Sequence, residues 1–226
     1  MGQEYFTRRA FLKTAVAIAG SAGMTAHGLQ LTDAQTTNTP QQALQRLVEG
    51  NRRFVRNRPT GIRQNMEKAR ERTEKKQEPF AAVLSCADSR VPVEIIFDQG
   101  IGDIFVARVA GNIATPTIIA SLEYGAVVLG AKAIVVLGHG DCGAVSATIR
   151  GKGVPGQIST LYSYIYPAVE QAGNDVNTVS KQNARNQATL LRKASPVLAD
   201  LVKQGKLLVV PAFYHLETGQ VQLLTE

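Results

Sequence analysis

Ala133-Ile134-Val135-Val136-Leu137-Gly138-His139-Gly140-Asp141-Cys142 is an apolar run that stops at a histidine and a cysteine. Ala81-Ala82-Val83-Leu84-Ser85-Cys86-Ala87-Asp88-Ser89-Arg90 repeats the arrangement fifty residues earlier, roughly one crossover unit away. Short apolar runs of this kind read as buried strands of a parallel sheet. In open α/β sheets, ligands gather outside the C-terminal ends of such strands, where both motifs fall. Cys86 and Cys142 are the only two cysteines of the chain. With His139 they supply two thiolates and an imidazole, a three-ligand zinc set that leaves one position open for water or substrate. Structural zinc sites are usually closed by four protein ligands, so the set points towards an enzyme. The alternative, two inert buried cysteines and an unrelated histidine, is disfavoured by the paired context.

Outward from these motifs, the chain from Pro79 onward alternates apolar strands with helical segments. This predicts an α/β fold, a mainly parallel central sheet flanked by helices. Strands are expected near 80–85, 103–109, 133–138 and 207–213. Helices are expected over 93–98, 116–129, 159–172 and 177–203, the last interrupted by Pro196. The glycine-rich segment 151–156 lacks the spacing and strand-to-helix context of a phosphate loop and reads as a flexible turn. Upstream, Gln35 to Thr39 is a polar linker, and Pro40 opens a helix through Asn57 with Leu44, Leu47 and Val48 on one face. A charged second helix over 63–76 has little to bury and must lie on the surface or against a partner. The expected organisation is therefore a leader over 1–34, a linker and helical arm over 35–78, and a zinc-binding catalytic domain over 79–226.

The chain has 226 residues, 44% of them hydrophobic, and a formal charge of +7. That excess is local. Residues 46–76 carry eleven Lys and Arg against four Glu, whereas 77–226 carry eleven against twelve acidic residues. The basic stretch reads as a solvated helical face, and no aromatic-rich nucleic-acid motif accompanies it. No apolar run is long enough to span a bilayer in the mature chain.

Thr7-Arg8-Arg9-Ala10-Phe11-Leu12-Lys13, followed by a weakly apolar stretch from Thr14 to Met24, resembles a twin-arginine export signal. A cut after Ala34 places small residues where cleavage needs them. The expected location is the periplasm, with a thylakoid lumen the other compartment reached by this route. Two cysteines in an oxidising compartment ordinarily suggest a disulfide. Export of an already folded protein removes the conflict, because zinc can occupy both thiolates first.

Taken together, several separated blocks resemble a β-class carbonic anhydrase: Leu47 to Phe54, Gln77-Glu78-Pro79, Cys86 to Pro92, Gly102 to Arg108, Ala110-Gly111-Asn112, Ser121 to Tyr124 and Gly138 to Ala144. The resemblance implies one Zn2+ per subunit, held by Cys86, His139 and Cys142. It implies that Asp88, paired with Arg90, accepts a hydrogen bond from zinc-bound water or hydroxide, and that in a closed form Asp88 becomes a fourth ligand. Gln77 matches a glutamine that reaches across a subunit interface to substrate oxygen in plant-type members, favouring the permanently accessible subtype over the bicarbonate-gated one. Phe105 and Tyr124 match apolar pocket residues of that subtype, although Tyr124 is equally an ordinary core residue. Ala110 stands where plant-type enzymes more often place valine, which implies a wider pocket.

The implied function is reversible hydration of CO2 to bicarbonate and a proton by zinc-bound hydroxide, in a homodimer or higher homo-oligomer whose N-terminal helices embrace a neighbour. The same zinc site could instead serve CS2 or COS hydrolysis. A non-catalytic zinc- or bicarbonate-binding relative is disfavoured by the presence of Asp88 and Arg90. A thiol redox protein is disfavoured because Cys86 and Cys142 are not in a Cys-x-x-Cys arrangement. The proton shuttle is open, His215 being the other histidine of the mature chain.

Overall fold

The computed structural model describes residues 38–63 and 65–225. The twin-arginine-like segment and the expected cleavage after Ala34 lie outside the described residues. Among these residues no helix is long and apolar enough to cross a membrane.

The sheet has five strands, β1 (Ala81–Ser85), β2 (Ile104–Arg108), β3 (Ala133–His139), β4 (Leu208–Tyr214) and β5 (Val221–Leu223), in the order β2-β1-β3-β4-β5. The first four are parallel, as the alternating pattern predicts, and β5 runs antiparallel to β4. β5 was not expected. It has three residues, none of them buried, so it carries no apolar signature of its own.

Helices α1 (Pro40–Val55), α2 (Met66–Thr73), α3 (Val93–Ile96), α4 (Pro116–Glu123), α5 (Gly143–Arg150), α6 (Tyr162–Ala172), α7 (Val176–Ala194) and α8 (Pro196–Lys203) surround it. α4 runs on into a π-helical turn, Tyr124–Val128. Pro196 separates α7 from α8 as expected, and Ser195 caps α8 by accepting from the Leu198 N–H at 3.0 Å. α5 was not anticipated, because its eight residues follow directly on the His139-to-Cys142 motif. The 151–156 segment is a loop, and Gly151 ends α5 at φ 61, where a glycine adopts the left-handed conformation without steric cost.

β1 shows why both faces of the sheet must be covered. Its five residues are all buried, with Ala82 and Leu84 packing on the α7 and α8 side while Ala81 and Val83 pack on the α1 and α3 side. At about 25 cal/mol per Å2 of apolar surface, two such faces supply most of the driving force.

α1 begins with a capping box. The Thr39 hydroxyl accepts from the Gln42 N–H at 3.2 Å, and the Gln42 side chain accepts from the Thr39 N–H at 2.8 Å. Its buried stripe is Ala43, Leu47, Gly50 and Asn51, with Leu44 and Val48 half-buried at its margin, and Ala43 and Leu47 dock on the sheet of their own chain. α2 is shorter than expected and buries only Ala69.

Candidate metal centre

β1 and β3 are adjacent and in register at Ser85 and Leu137, so Cys86 and His139 emerge side by side at their C-terminal ends. β2 lies on one side of β1 and β3 on the other. The crevice between β1 and β3 is therefore the switch point at which open α/β sheets bind ligands. After His139 the chain turns sharply, with Asp141 at φ 49, and Cys142 becomes the N-terminal cap of α5.

The ligand atoms of Cys86, His139 and Cys142 all lie within 4.8 Å of one another. All three residues are buried. His139 Nδ1 is 2.8 Å from the Gly140 carbonyl oxygen, which can only accept, so Nδ1 carries the proton. Nε2 is then a bare lone pair, buried and without a hydrogen-bond partner. A buried imidazole nitrogen left unsatisfied between two thiols costs free energy unless something binds it. Zinc fits this donor set: two soft sulfurs, one imidazole in the required tautomer, and a backbone carbonyl fixing the ring.

The thiols are prepared for a cation. The hydrogen bond from the Cys142 thiol is the largest influence on Cys86; despite opposing desolvation, and with help from the Gly111 and Asp88 amides, it brings the Cys86 thiol well below its usual value. Cys142 is pushed up because its proton is held by Cys86 and because it is buried, although the Val145 and Ala144 amides at the start of α5 work the other way. One sulfur ionises readily and the second does so when a cation replaces the shared proton.

Asp88 stands beside this set, with Oδ2 3.9 Å from His139 Nε2. Arg90 grips it in a fork: Nε donates to Oδ1 at 3.0 Å, Nη2 to Oδ2 at 2.8 Å, and the Arg90 backbone N–H to Oδ1 at 2.9 Å. These bonds, the side-chain one foremost, hold the carboxyl at about 2 against the opposing effect of burial. Arg90 is half exposed, so the pair serves orientation more than stability. Arg90 Nη2 also donates to the Asp141 carbonyl at 3.2 Å, tying the two motif loops together. Arg108 braces the first loop, donating from Nε to the Cys86 carbonyl at 3.0 Å and from Nη2 to the Asp88 carbonyl at 2.7 Å.

Gln77, Phe105 and Tyr124 stand apart from this cluster within one chain. Gln77 is exposed and precedes β1, at the sheet end opposite Cys86. Phe105 is in register with Ala82, about 13 Å before Cys86 at ~3.3 Å per residue. Its ring lies 6.4 Å from that of Tyr124, which is 47% exposed. His215 follows the last residue of β4, and Tyr214 pairs with His139, so His215 lies at the same end of the sheet as the site. Its ring meets Phe213 edge-on and its Nε2 lies 3.3 Å from Gln222.

Besides Arg108, further supporting groups escaped the sequence reading. Asn177 Oδ1 accepts from the Asp141 N–H at 3.0 Å, and the Gly111 N–H donates to Cys86 Sγ at 3.3 Å. Ala110-Gly111-Asn112 stood out as a block, but nothing local says that its backbone reaches a sulfur.

The family profile described as carbonic anhydrase matches residues 81–221. A carbonic anhydrase of Mycolicibacterium smegmatis is 36% identical over 194 residues, covering 82% of this chain and 94% of the relative. Carbonic anhydrase 2 of Mycobacterium tuberculosis is 35% identical over 192 residues, covering 81% and 92%. Among solved structures, the beta-carbonic anhydrase CcaA superposes with a TM-score of 0.64 at 26% identity over 80% of this chain and 95% of that one. One of two tetrameric beta-carbonic anhydrases from Sordaria macrospora shares the fold, with a TM-score of 0.62 at 24% identity over 69% and 85%. An open α/β sheet carrying, at its switch point, a Cys-His-Cys group that could hold a metal defines the class of enzyme. The chain belongs to the β-carbonic anhydrase family.

Proposed function

We propose that the chain catalyses the reversible hydration of CO2 to bicarbonate and a proton at a zinc ion held by Cys86, His139 and Cys142. The observation that carries this reading is the buried, unpartnered Nε2 of His139 beside two thiols. Zinc bound there supplies the Lewis acidity that brings a water molecule to a pKa of about 7. Two thiolates work against that acidification by donating charge, so the chain's own groups have to compensate. Asp88, ionised and aimed by Arg90, accepts a hydrogen bond from the attacking water or hydroxide and thereby orients the oxygen lone pair at CO2. In a closed arrangement Asp88 would be the residue to hold the metal as a conditional fourth ligand, and its fork with Arg90 is the contact that would have to open. Gln77, exposed and remote from its own chain's centre, serves the centre of a neighbouring subunit in a homodimer or larger homo-oligomer, with Phe105 and Tyr124 lining the apolar side of that pocket. Export by the twin-arginine route to the periplasm, with zinc loaded beforehand, completes the reading.

Stopped-flow CO2 hydration on protein of measured zinc content tests this, with Asp88→Ala as the comparison. The expected result is activity proportional to zinc and lost in Asp88→Ala. CS2 or COS turnover without CO2 hydration, or absence of zinc with a Cys86 to Cys142 disulfide, would overturn it.

A further inference from the structure

Gly111 is one of the backbone groups that reach the site's sulfurs, and α7 grips its turn from outside. The Gly111 N–H donates to Cys86 Sγ at 3.3 Å, in a single helical turn, Ala110–Asn112, just after β2. Gly111 at φ 75 and Asn112 at φ 44 are residue types that tolerate the left-handed region but are not confined to it, so something outside the turn must fix it.

Asn183 of α7 does so, donating from Nδ2 to the Gly111 carbonyl at 2.8 Å. Gln187, one helical turn on, donates to Asn183 Oδ1 at 3.1 Å and so fixes which way the Asn183 amide faces. Gln187 is in turn tied to the Ala114 N–H, which donates to its Oε1 at 2.9 Å, and to the Tyr164 carbonyl, which accepts from its Nε2 at 3.0 Å. Asn183 is 0% and Gln187 2% exposed, so neither amide has solvent as an alternative partner. The turn is therefore gripped at both ends, at the Gly111 carbonyl and the Ala114 amide, by two side chains spaced one turn apart on one helix.

We infer that Asn183 and Gln187 are positioning residues for the metal centre. They hold the 110–114 turn so that the Gly111 N–H bears on the Cys86 sulfur. This rests on the zinc reading above. A hydrogen bond to a metal-bound thiolate withdraws charge from the sulfur, and outer-shell partners of this kind typically alter metal affinity about 10–100-fold. The pair thus offsets part of the charge donation that two thiolates impose on the zinc.

The test uses the full zinc-loaded protein and compares Asn183→Ala and Gln187→Met with Leu191→Ala. Leu191 is a fully buried residue of the same helix, one turn beyond Gln187, that packs in the main core and has no side-chain group able to hydrogen-bond either amide. Zinc release is timed with an excess of a chromophoric chelator. Cobalt-substituted protein reports the sulfur-to-metal charge-transfer absorption, and urea midpoints measure stability. Asn183→Ala is expected to release zinc about tenfold or more faster and to shift the charge-transfer band. Gln187→Met should move both in the same direction by less. Leu191→Ala should lower the urea midpoint while leaving release within about twofold and the band in place.

Equal release and unshifted bands in Asn183→Ala or Gln187→Met, or the same change in Leu191→Ala at matched stability, would overturn the inference. Should Asn183→Ala not fold, Gln187→Met against Leu191→Ala decides it. A wild-type chain that binds no zinc would instead refute the functional reading itself, so the two failures are distinguishable.

Discussion

Replacing Asp98 by asparagine should unfasten the N-terminal arm from the catalytic body. The Asp98 side chain is fully buried, and its carboxylate accepts from Arg53 Nε at 2.6 Å, from the Thr60 N–H at 2.9 Å and from the Ile62 N–H at 3.1 Å. Three segments meet on one group: α1, the loop before α2, and the end of α3. Asp98 has φ 48, which asparagine tolerates, so Asp98→Asn preserves backbone and shape while removing the charge and pointing an N–H2 at a donor. Breaking a buried pair outright costs about 3–5 kcal/mol, and each buried donor left unpaired about 1–3 kcal/mol. Arg53 is 35% exposed and can rehydrate, which brings the expected loss to roughly 2–4 kcal/mol.

At a urea slope of about 2 kcal/mol per M, the unfolding midpoint should fall by about 1–2 M. Burial pushes this carboxyl up, but the Thr60, Arg53 and Ile62 hydrogen bonds outweigh it and the net shift is downward. A carboxyl lowered on folding stabilises fully above its unfolded value of about 3.9 and loses that contribution as pH falls through the lower folded value. The difference between wild type and Asp98→Asn should accordingly be flat from about pH 5 to 8 and shrink below about pH 4. Urea unfolding followed by circular dichroism across that range is the assay. A midpoint change under about 0.5 M at pH 7, or a difference that grows on acidification, would refute the reasoning.

Gly50→Ala should be still more damaging, because a Cβ at Gly50 would lie 1.8 Å from the Phe97 carbonyl oxygen; a near wild-type urea midpoint would contradict the packing described. Asp88→Asn should retain zinc at wild-type stoichiometry yet lower CO2 hydration by about 10²–10⁴-fold, and unchanged stopped-flow rates would remove Asp88 from the chemistry. Zinc uptake by metal-free, reduced protein at pH 7 should release fewer than two protons, since the hydrogen bond from the Cys142 thiol lowers Cys86 while Cys142 is raised and keeps the shared proton; calorimetry in buffers of different ionisation enthalpy measures this, and a release of two would contradict it.

How much could be read in advance follows from the range of the interactions. Strand runs such as Ala133 to Gly138 declare themselves by composition, and the helix stop at Pro196 by covalent geometry. The stripe on α1 was legible at Leu44, Leu47 and Val48 but is centred on Ala43, Leu47, Gly50 and Asn51. Gly50 is buried because another segment's carbonyl approaches it, and Asn51 because it donates to Ile96 and Gly219 and accepts from Val221. None of those partners lies within forty residues of it, and no local pattern predicts them. β5 belongs to the same class, a strand defined by β4 and by the amide of Asn51 rather than by its own residues.

The metal centre divides along the same line. Cys86 and His139 are 53 positions apart, yet two adjacent parallel strands deliver both to one sheet edge, so recognising two strands of similar length was enough to place them together. Cys142 follows at once, because three residues and a left-handed turn at Asp141 bring the chain back as a helix cap. Asp88 and Arg90 needed only the loop after β1. What lay beyond reach was the support behind the ligands: Arg108 from β2, Asn177 and Asn183 from α7, and the Gly111 amide. Each acts through backbone carbonyls and N–H groups, which every residue possesses and no sequence displays. A motif therefore names the atoms that would meet the metal, while the groups that fix their angle, tautomer and charge come from elsewhere in the fold and converge where the Nε2 of His139 lies buried without a partner.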